Sequence, residues 1–523
     1  MSTIALNSLT FYYDSPVEKL FNKVTLNIDT DWKLGLVGKN GRGKTTLLKL
    51  LLGKLHPVEG SLSLNVKPSY FPYTPDDTSE TVFNIIKDAI APFRKWEERM
   101  DILSTRDDDN SQSEYGDLLT QYSDAGGYEI DSLIEKETAA IGLDESFLKR
   151  KFVTLSGGEQ TRALLAAMFL KNNGYPLIDE PTNHLDIEGR RMLADYLNKK
   201  DGYLVVSHDR NFLDKCTDHI LSINRSDVTL SNGNYSTWKY NTDLKEGFEL
   251  RKNENLKREI KTLEESARVK RAWSSNKEKE KKGAYDKGFV GHRAAKMMKR
   301  ALSIENRVNA DLAEKKNLLK NYEKKRHLKL ESTDTSGQIL SVYNIGKSFD
   351  GKKLLDNVSF TLYKGDRVAI SGANGTGKTT LLKILSGELQ PDEGSCHIPK
   401  QLSLEFANQV PLWRTGYLRD YLMENKIDET IFRNILGSLG SCGEIFERPL
   451  ETFSMGELKK VELTRSFLYP VDLLIWDEPL NYVDIAGRER IEEVIMKNSP
   501  TMIFVEHDTY FIDKIATSVV KLG

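Results

Sequence analysis

An ordered set of short motifs occurs twice in this chain, and the duplication limits the possible folds more than any other feature of its 523 residues. GKNGRGKTT at Gly38 to Thr46 returns as GANGTGKTT at Gly372 to Thr380, LSGGE at Leu155 to Glu159 as FSMGE, IDEPTNHLD as WDEPLNYVD, and VVSHD as FVEHD. Two copies of one ordered set predict two homologous domains, each long enough to bury its own core. The spacing is informative: Lys44 and Lys378 stand 334 positions apart, whereas Ser156 and Ser454, like Asp179 and Asp477, stand 298 apart. The first copy therefore carries 36 extra residues between its glycine-rich loop and LSGGE, placed at about 92–130. There RKWEERMDIL and EYGDLLTQY read as two short helices around a polar tip, STRDDDNSQS.

Within each copy, short apolar β-rich runs (KLGLVG, YLVVSH; RVAISG, TMIFVEH) alternate with helical stretches, the pattern of an α/β fold with a parallel sheet covered by helices. The expected domains are 1–240 and 336–523, with 241–335 as a linker of different character. Leu256, Ile260, Leu263 and Ala267, and after Gly283, Gly288 and Gly291 also Ala301, Ile304, Val308 and Leu312, follow helical spacing. They predict two long antiparallel helices of about 30 residues, ~45 Å each. The formal net charge of −2 hides an uneven distribution, because residues 251–300 hold 17 Lys+Arg against 7 Asp+Glu. Around the hairpin tip, Trp273, Tyr285, Phe289 and Met297 stand among Lys281, Lys282, Lys287, His292, Arg293, Lys296, Lys299 and Arg300. Basic residues attract phosphate and aromatics stack on bases, so the tip suits RNA; from the residues alone, a solvated charged hairpin fits equally well.

The pattern G-x-x-x-x-G-K-T lets glycine-flanked backbone N–H groups curl around phosphate oxygens. Its lysine neutralises phosphate charge and the next hydroxyl binds magnesium, roles that fall to Lys44 with Thr45 and to Lys378 with Thr379. Asp179 and Asp477 end apolar runs, where a carboxylate can hold the magnesium through water, and Glu180 and Glu478 are candidates to polarise an attacking water. An Asp-Glu pair alone fits a solvated loop as well; the PTNHLD and PLNYVD that follow favour the site. His208 and His507, each after an apolar strand, suit a polar contact to a terminal phosphate, although either histidine taken singly fits a structural role better.

The whole motif set resembles the ATP-binding cassette superfamily across both copies, implying an ATPase with ATP and Mg2+ as cofactors. The resemblance assigns ATP contacts to Gly38, Lys39, Asn40, Gly41, Arg42, Gly43, Lys44, Thr45 and Thr46, and to Gly372, Ala373, Asn374, Gly375, Thr376, Gly377, Lys378, Thr379 and Thr380. It adds Tyr13 and Phe349, the signature residues Ser156, Gly157, Gly158, Glu159, Ser454, Gly456 and Glu457, and Gln409 as a further metal contact. Each signature is expected to face the phosphates bound by the opposite cassette, forming two composite sites. Both departures from the family pattern fall in one of them: Tyr73 stands where a glutamine is usual, and Met455 replaces the first signature glycine. Slower hydrolysis is expected at that first-loop site than at the one built from Lys378, Glu478 and Ser156.

Two cassettes on one chain, an arm in the first and a basic helical linker between them resemble the ABC-F class. GHRAAKMMKR after the tip and FSMGELKKVE are similar to the Lsa-type antibiotic-resistance branch. The resemblance implies binding at the E site of the 70S ribosome, with the linker near 23S rRNA and P-site tRNA and reaching toward the peptidyl-transferase centre. It also implies protection from lincosamides, streptogramin A and pleuromutilins, release on hydrolysis, and a monomer with its cassettes paired internally. A housekeeping translation factor for stalled ribosomes, or an efflux ATPase subunit, are the other readings. Cys216, Cys396 and Cys442 lie too far apart for a CxxC site. The start has no secretory pattern and no run nears the ~18–20 apolar residues of a membrane span, so a cytoplasmic protein with no direct membrane insertion is expected.

Overall fold

The computed structural model describes residues 2–13, 19–106, 108–171, 174–183, 185–224, 227–280, 337–399, 402–441 and 443–523. Two compact units emerge, one of residues 1–236 with 326–523 and the other of residues 237–325.

The first unit holds both motif copies. In the first copy the apolar run KLGLVG forms the strand Lys33–Gly38 at the heart of a six-stranded sheet, buried on both faces. Its parallel neighbours are Tyr203–Val206 and His219–Ile223, and beyond the former lie Gly174–Asp179 and Lys67–Phe71. The second copy repeats this as a five-stranded parallel sheet in the order Leu404–Ala407, Leu473–Asp477, Met502–Val505, Arg367–Ser371, Ser518–Lys521. Both central strands are apolar and buried between their end residues, as a sheet covered on both faces requires. A three-stranded antiparallel sheet accompanies each, made of Lys19–Asp29, Thr3–Tyr12 and Glu59–Leu64 in one copy, and of Lys352–Tyr363, Gln338–Phe349 and Glu393–His397 in the other. Leu34, Leu36, Leu47, Leu48, Leu177 and Val206 pack between the two sheets of the first copy, and Val368, Ile370, Leu381, Leu382, Ile475 and Val505 do the same in the second. Each glycine-rich loop therefore leaves the end of a rigid central strand and enters the helix Lys44–Leu51 or Lys378–Leu385.

The extra residues of the first copy contain the helices Phe93–Ser104 and Asp109–Asp124. Arg99 makes a forked pair with Glu114 (2.7 Å for both bonds), Tyr122 donates to Glu97 (2.8 Å), and Phe93 meets Tyr122 edge to face. Asp108, read from sequence as part of the acidic tip, caps the second helix by accepting from Ser111 N.

A single helix, Tyr235–Glu280, runs 46 residues into the linker, half as long again as helical spacing alone suggested. Gly247 is its only glycine and it has no proline, so no residue within Tyr235–Glu280 is a strong helix breaker. Trp273 lies on this helix, whereas Lys281, Lys282, Tyr285, Lys287, Phe289, His292, Arg293, Lys296, Met297, Lys299 and Arg300 lie outside the described residues. Among the described residues, no helix is long and apolar enough to cross a membrane.

Candidate functional site

Both glycine-rich loops have the backbone that their sequence demands. Gly41, Gly43, Gly375 and Gly377 take φ of 75°, 96°, 81° and 90°, a left-handed conformation costly for other residues, and this turns successive N–H groups toward one point. The lysine that opens each helix is buried and folds back over its own loop. Lys44 Nζ donates to Gly38 O (2.7 Å) and Asn40 Oδ1 (3.2 Å), and Lys378 Nζ donates to Gly372 O (2.8 Å) and Ala373 O (2.9 Å). Burial lowers both lysine pKa values while the nearby carboxylates oppose it, Glu180 and Asp484 around Lys44 and Glu478 and Asp186 around Lys378. A phosphate entering either cradle meets a cation held ready for it.

The two cassettes meet head to tail. Asn40 N, in the first loop, donates to Asp484 Oδ2 of the second cassette (2.7 Å), and Asn40 Nδ2 donates to Tyr482 O (3.2 Å). In mirror fashion Asn374 N donates to Asp186 Oδ2 (3.1 Å). Both aspartates also cap a helix of their own cassette, accepting from Gly189 N (2.8 Å) and Gly487 N (2.7 Å). Asp186 and Asp484 were not chosen from sequence, although each closes a quoted motif directly before a helix, the usual place of an acidic N-cap.

Ser156 and Ser454 open the signature helices Gly157–Leu170 and Met455–Ser466, each with a capping box to Glu159 or Glu457. Helix N-termini of this kind suit an anion. Gly456 faces the first loop so closely that a Cβ there would lie 2.8 Å from Asn40 Nδ2 and 2.5 Å from Tyr482 O. Gly158 is buried and Met455 is exposed. On the other side, Gly157, Leu185 and Arg190 of the first cassette join Asn374, Lys378, Thr379, Gln409, Glu478 and His507 of the second around a cavity of ≈ 430 Å³. Each signature is thus placed with the opposite loop.

The acidic residues differ between the sites. Glu478 Oε2 accepts from Gln409 Nε2 (2.8 Å) and Asn481 Nδ2 (2.6 Å), and His507 Nε2 lies 3.4 Å from Oε1. Burial works against ionisation, yet the contacts to His507 and Gln409 and the charge of Lys378 hold this carboxyl at about 2. Glu180 has His208 Nε2 at 3.4 Å from Oε1 and accepts weakly from His208 N (3.4 Å), but Oε1 has no hydrogen-bond partner among the described residues. Burial pushes Glu180 up to about 7 in spite of Lys44, and burial likewise lowers the His208 pKa well below the ordinary value. Both glutamates sit at positive φ (50° and 46°), a strain typical of functional positions.

Asp477 is buried at its strand end, is hydrogen-bonded to the Thr379 hydroxyl, and leaves Oδ1 without a partner. An orphaned carboxylate oxygen beside a hydroxyl is a donor set suited to a hard divalent cation. In the first site Asp179 Oδ2 instead accepts from Tyr70 OH (3.1 Å), while the register against the adjoining strands puts Phe406 at the equivalent place in the second. Sequence reading missed Tyr70, since only the strand register reveals its target. Tyr73 donates to Leu164 O (3.3 Å). Tyr13 OH lies 3.2 Å from Thr46 Oγ1, and Phe349 is exposed at its strand end with Lys347 Nζ 5.7 Å from its ring.

Comparison with known proteins agrees with this arrangement. The family described as ABC transporter matches residues 21–183 and 355–481. The ribosome protection protein VmlR of Bacillus subtilis is 28% identical, covering 98% of this chain and 85% of its own length. The energy-dependent translational throttle protein EttA of Haemophilus influenzae is also 28% identical, over 97% of this chain and 90% of its own. The crystal structure of the archaeal ribosome recycling factor aABCE1 with the stalk protein aP1 superposes with a TM-score of 0.61 at 21% identity, covering 98% of this chain and 87% of that one, a likeness of fold.

Proposed function

The chain belongs to the ABC transporter family, in its ABC-F class of paired cassettes, and is an ATPase; from that premise we propose that it is an ATP-dependent ribosome protection protein. Two ATP molecules fill the facing sites, each gripped by one glycine-rich loop and the opposite signature. Lys44 and Lys378 neutralise phosphate charge, and Thr45 with Asp179, and Thr379 with Asp477 and Gln409, hold Mg2+. Glu180 and Glu478 orient the attacking water, with His208 and His507 beside the terminal phosphate. The closed form enters the E site of the 70S ribosome, the basic linker meets 23S rRNA and P-site tRNA near the peptidyl-transferase centre, drug is displaced, and hydrolysis releases the protein.

The observation that carries this reading is the head-to-tail closure, in which each loop already touches the other cassette through Asp484 or Asp186. ATP inserted there locks a closed body, and the +10 charge of residues 251–300 suits ribosomal nucleic acid. The similarity to VmlR favours drug protection; that to EttA, equal in identity, supports a translation factor acting without drug.

One experiment separates them. A Glu180→Gln/Glu478→Gln chain is sedimented with ribosomes in ATP, and the unaltered gene is tested for lincosamide, streptogramin A and pleuromutilin susceptibility in a sensitive host. Co-sedimentation with raised resistance is expected. Co-sedimentation with unchanged susceptibility would favour the translation factor, and no co-sedimentation would remove the ribosome from the reading.

A further inference from the structure

Lys459, Glu462 and Arg465 lie on one face of the second signature helix, Met455–Ser466, and together they grip the backbone of the segment that carries Gln409. Lys459 Nζ donates to the carbonyls of Asn408 (2.7 Å) and Gln409 (2.9 Å). Glu462 accepts from Asn408 N (3.2 Å) and Leu412 N (3.3 Å). Arg465 pairs with Glu405, donates to the Phe406 carbonyl, and reaches Glu462 at 3.1 Å. Lys459 and Glu462 are only 1% and 2% exposed. A buried charge separated from its partners is costly, so helix and segment move as one piece.

That piece touches both nucleotide sites. Its helix start, Ser454 to Gly456, faces the first loop at Asn40, and its Gln409 bonds Glu478 beside the second loop. The first copy is built otherwise. Thr161, Leu164 and Ala167 occupy the places of Lys459, Glu462 and Arg465, and Tyr73 replaces Gln409. Tyr73 makes one bond to that helix, at Leu164 O, beside a cavity of ≈ 230 Å³. Lys171, just past that helix, lies 5.6 Å from the Tyr73 ring centre, and among the described residues no ion pair joins helix and segment there as Arg465 and Glu405 do in the second copy.

We infer that the second signature helix is a coupling element through which ATP at the Lys44 site sets the turnover of the Lys378 site, with Lys459 and Glu462 as the positioning residues. Binding energies between two sites are reciprocal, but catalytic rates need not be, so turnover can be coupled in one direction. The inference rests on the ATPase activity and not on the ribosome. The assay uses the full chain without ribosomes, so a failed ribosome assay leaves it standing.

The test is a double-mutant cycle in a Glu180→Gln background, where turnover comes from Glu478. Ser454→Ala is introduced with Lys459 present and with Lys459→Thr, the residue at the matching place of the first copy. With Lys459 present, Ser454→Ala lowers kcat about tenfold, a coupling of ordinary size; with Lys459→Thr the same change lowers it less than about twofold. Lys459→Thr alone lowers kcat and leaves KM for ATP within about threefold. A purely structural loss of the helix cap would lower kcat equally in both backgrounds, and that additivity would overturn the inference. If Lys459→Thr does not fold, as judged by thermal melting, Glu462→Gln at unchanged volume takes its place in the cycle with the same two outcomes.

Discussion

Arg210 of the first cassette crosses to the second and forms a buried ion pair with Glu492. Its guanidinium also reaches Asp508 at 3.4 Å and lies 3.9 Å from the Tyr510 ring centre. Glu492 and Asp508 are wholly buried, and each has a second cation, Lys514 at 2.9 Å from Glu492 and Arg488 at 2.8 Å from Asp508. The repeat does not return this contact, since Thr509 stands at the place of Arg210 and accepts from Asn211 instead. The cassettes are therefore latched from one side.

Removing Arg210 leaves each buried carboxylate with one cation of its own cassette and no link across the interface. Arg210→Ala is expected to cost about 1.5–3 kcal/mol there, the range of a hydrogen bond to a charged group. In calorimetry, the expected result is a lower thermal midpoint and separate transitions for the two cassettes; Arg210→Lys keeps part of the effect. A single transition at an unmoved midpoint would show that the latch contributes nothing to closure.

The two glutamates predict unequal sites. Glu478→Gln removes the better-held base and should lower total turnover about 10²-fold or more, whereas Glu180→Gln changes it less than about twofold. Tyr70→Phe frees Asp179 and should raise the residual turnover of Glu478→Gln, reported by phosphate release. Equal losses in the two glutamine variants would dismiss the asymmetry.

The pH profile follows from the same groups. A general base acts only when ionised, so a carboxyl pushed up to about 7 gains activity as pH rises through that value. In Glu478→Gln, where Glu180 is the remaining base, turnover should climb between about pH 6 and 8. In Glu180→Gln it should stay level over that range, because Glu478, held at about 2, is already ionised. Matching profiles would mean that the two carboxyls share one environment.

Much of this was legible in the sequence because motif and geometry coincide: Gly43 and Gly377 need positive φ, and each lysine follows directly. Tyr70, Arg210 and Lys459 were not legible, since each acts on a group far along the chain, Asp179, Glu492 and the Asn408 carbonyl. Only strand register and helix packing bring those partners near. The linker shows the converse limit, because helical spacing marked Leu256 and Ile260 yet gave no sign that the helix already begins at Tyr235.

Closure at the first site depends on one missing Cβ. Gly456 lies under Asn40 Nδ2 and Tyr482 O at distances a methyl group cannot share, and Tyr482 O is backbone of its own cassette. Gly456→Ala must therefore shift the helix start against the Tyr482 carbonyl and displace the Asn40 amide that bonds it, an overpacking cost of about 1–3 kcal/mol that loosens the contact between signature and first loop. The expected result is an ATP affinity at the Lys44 site lower by about tenfold, read by equilibrium nucleotide binding in a Glu180→Gln/Glu478→Gln chain. The Lys378 site, whose matching signature glycine is Gly158, should keep its affinity within about twofold, so the binding curve should split into two phases. A parallel weakening of both sites would mean that the loss spreads through the body rather than starting at that contact.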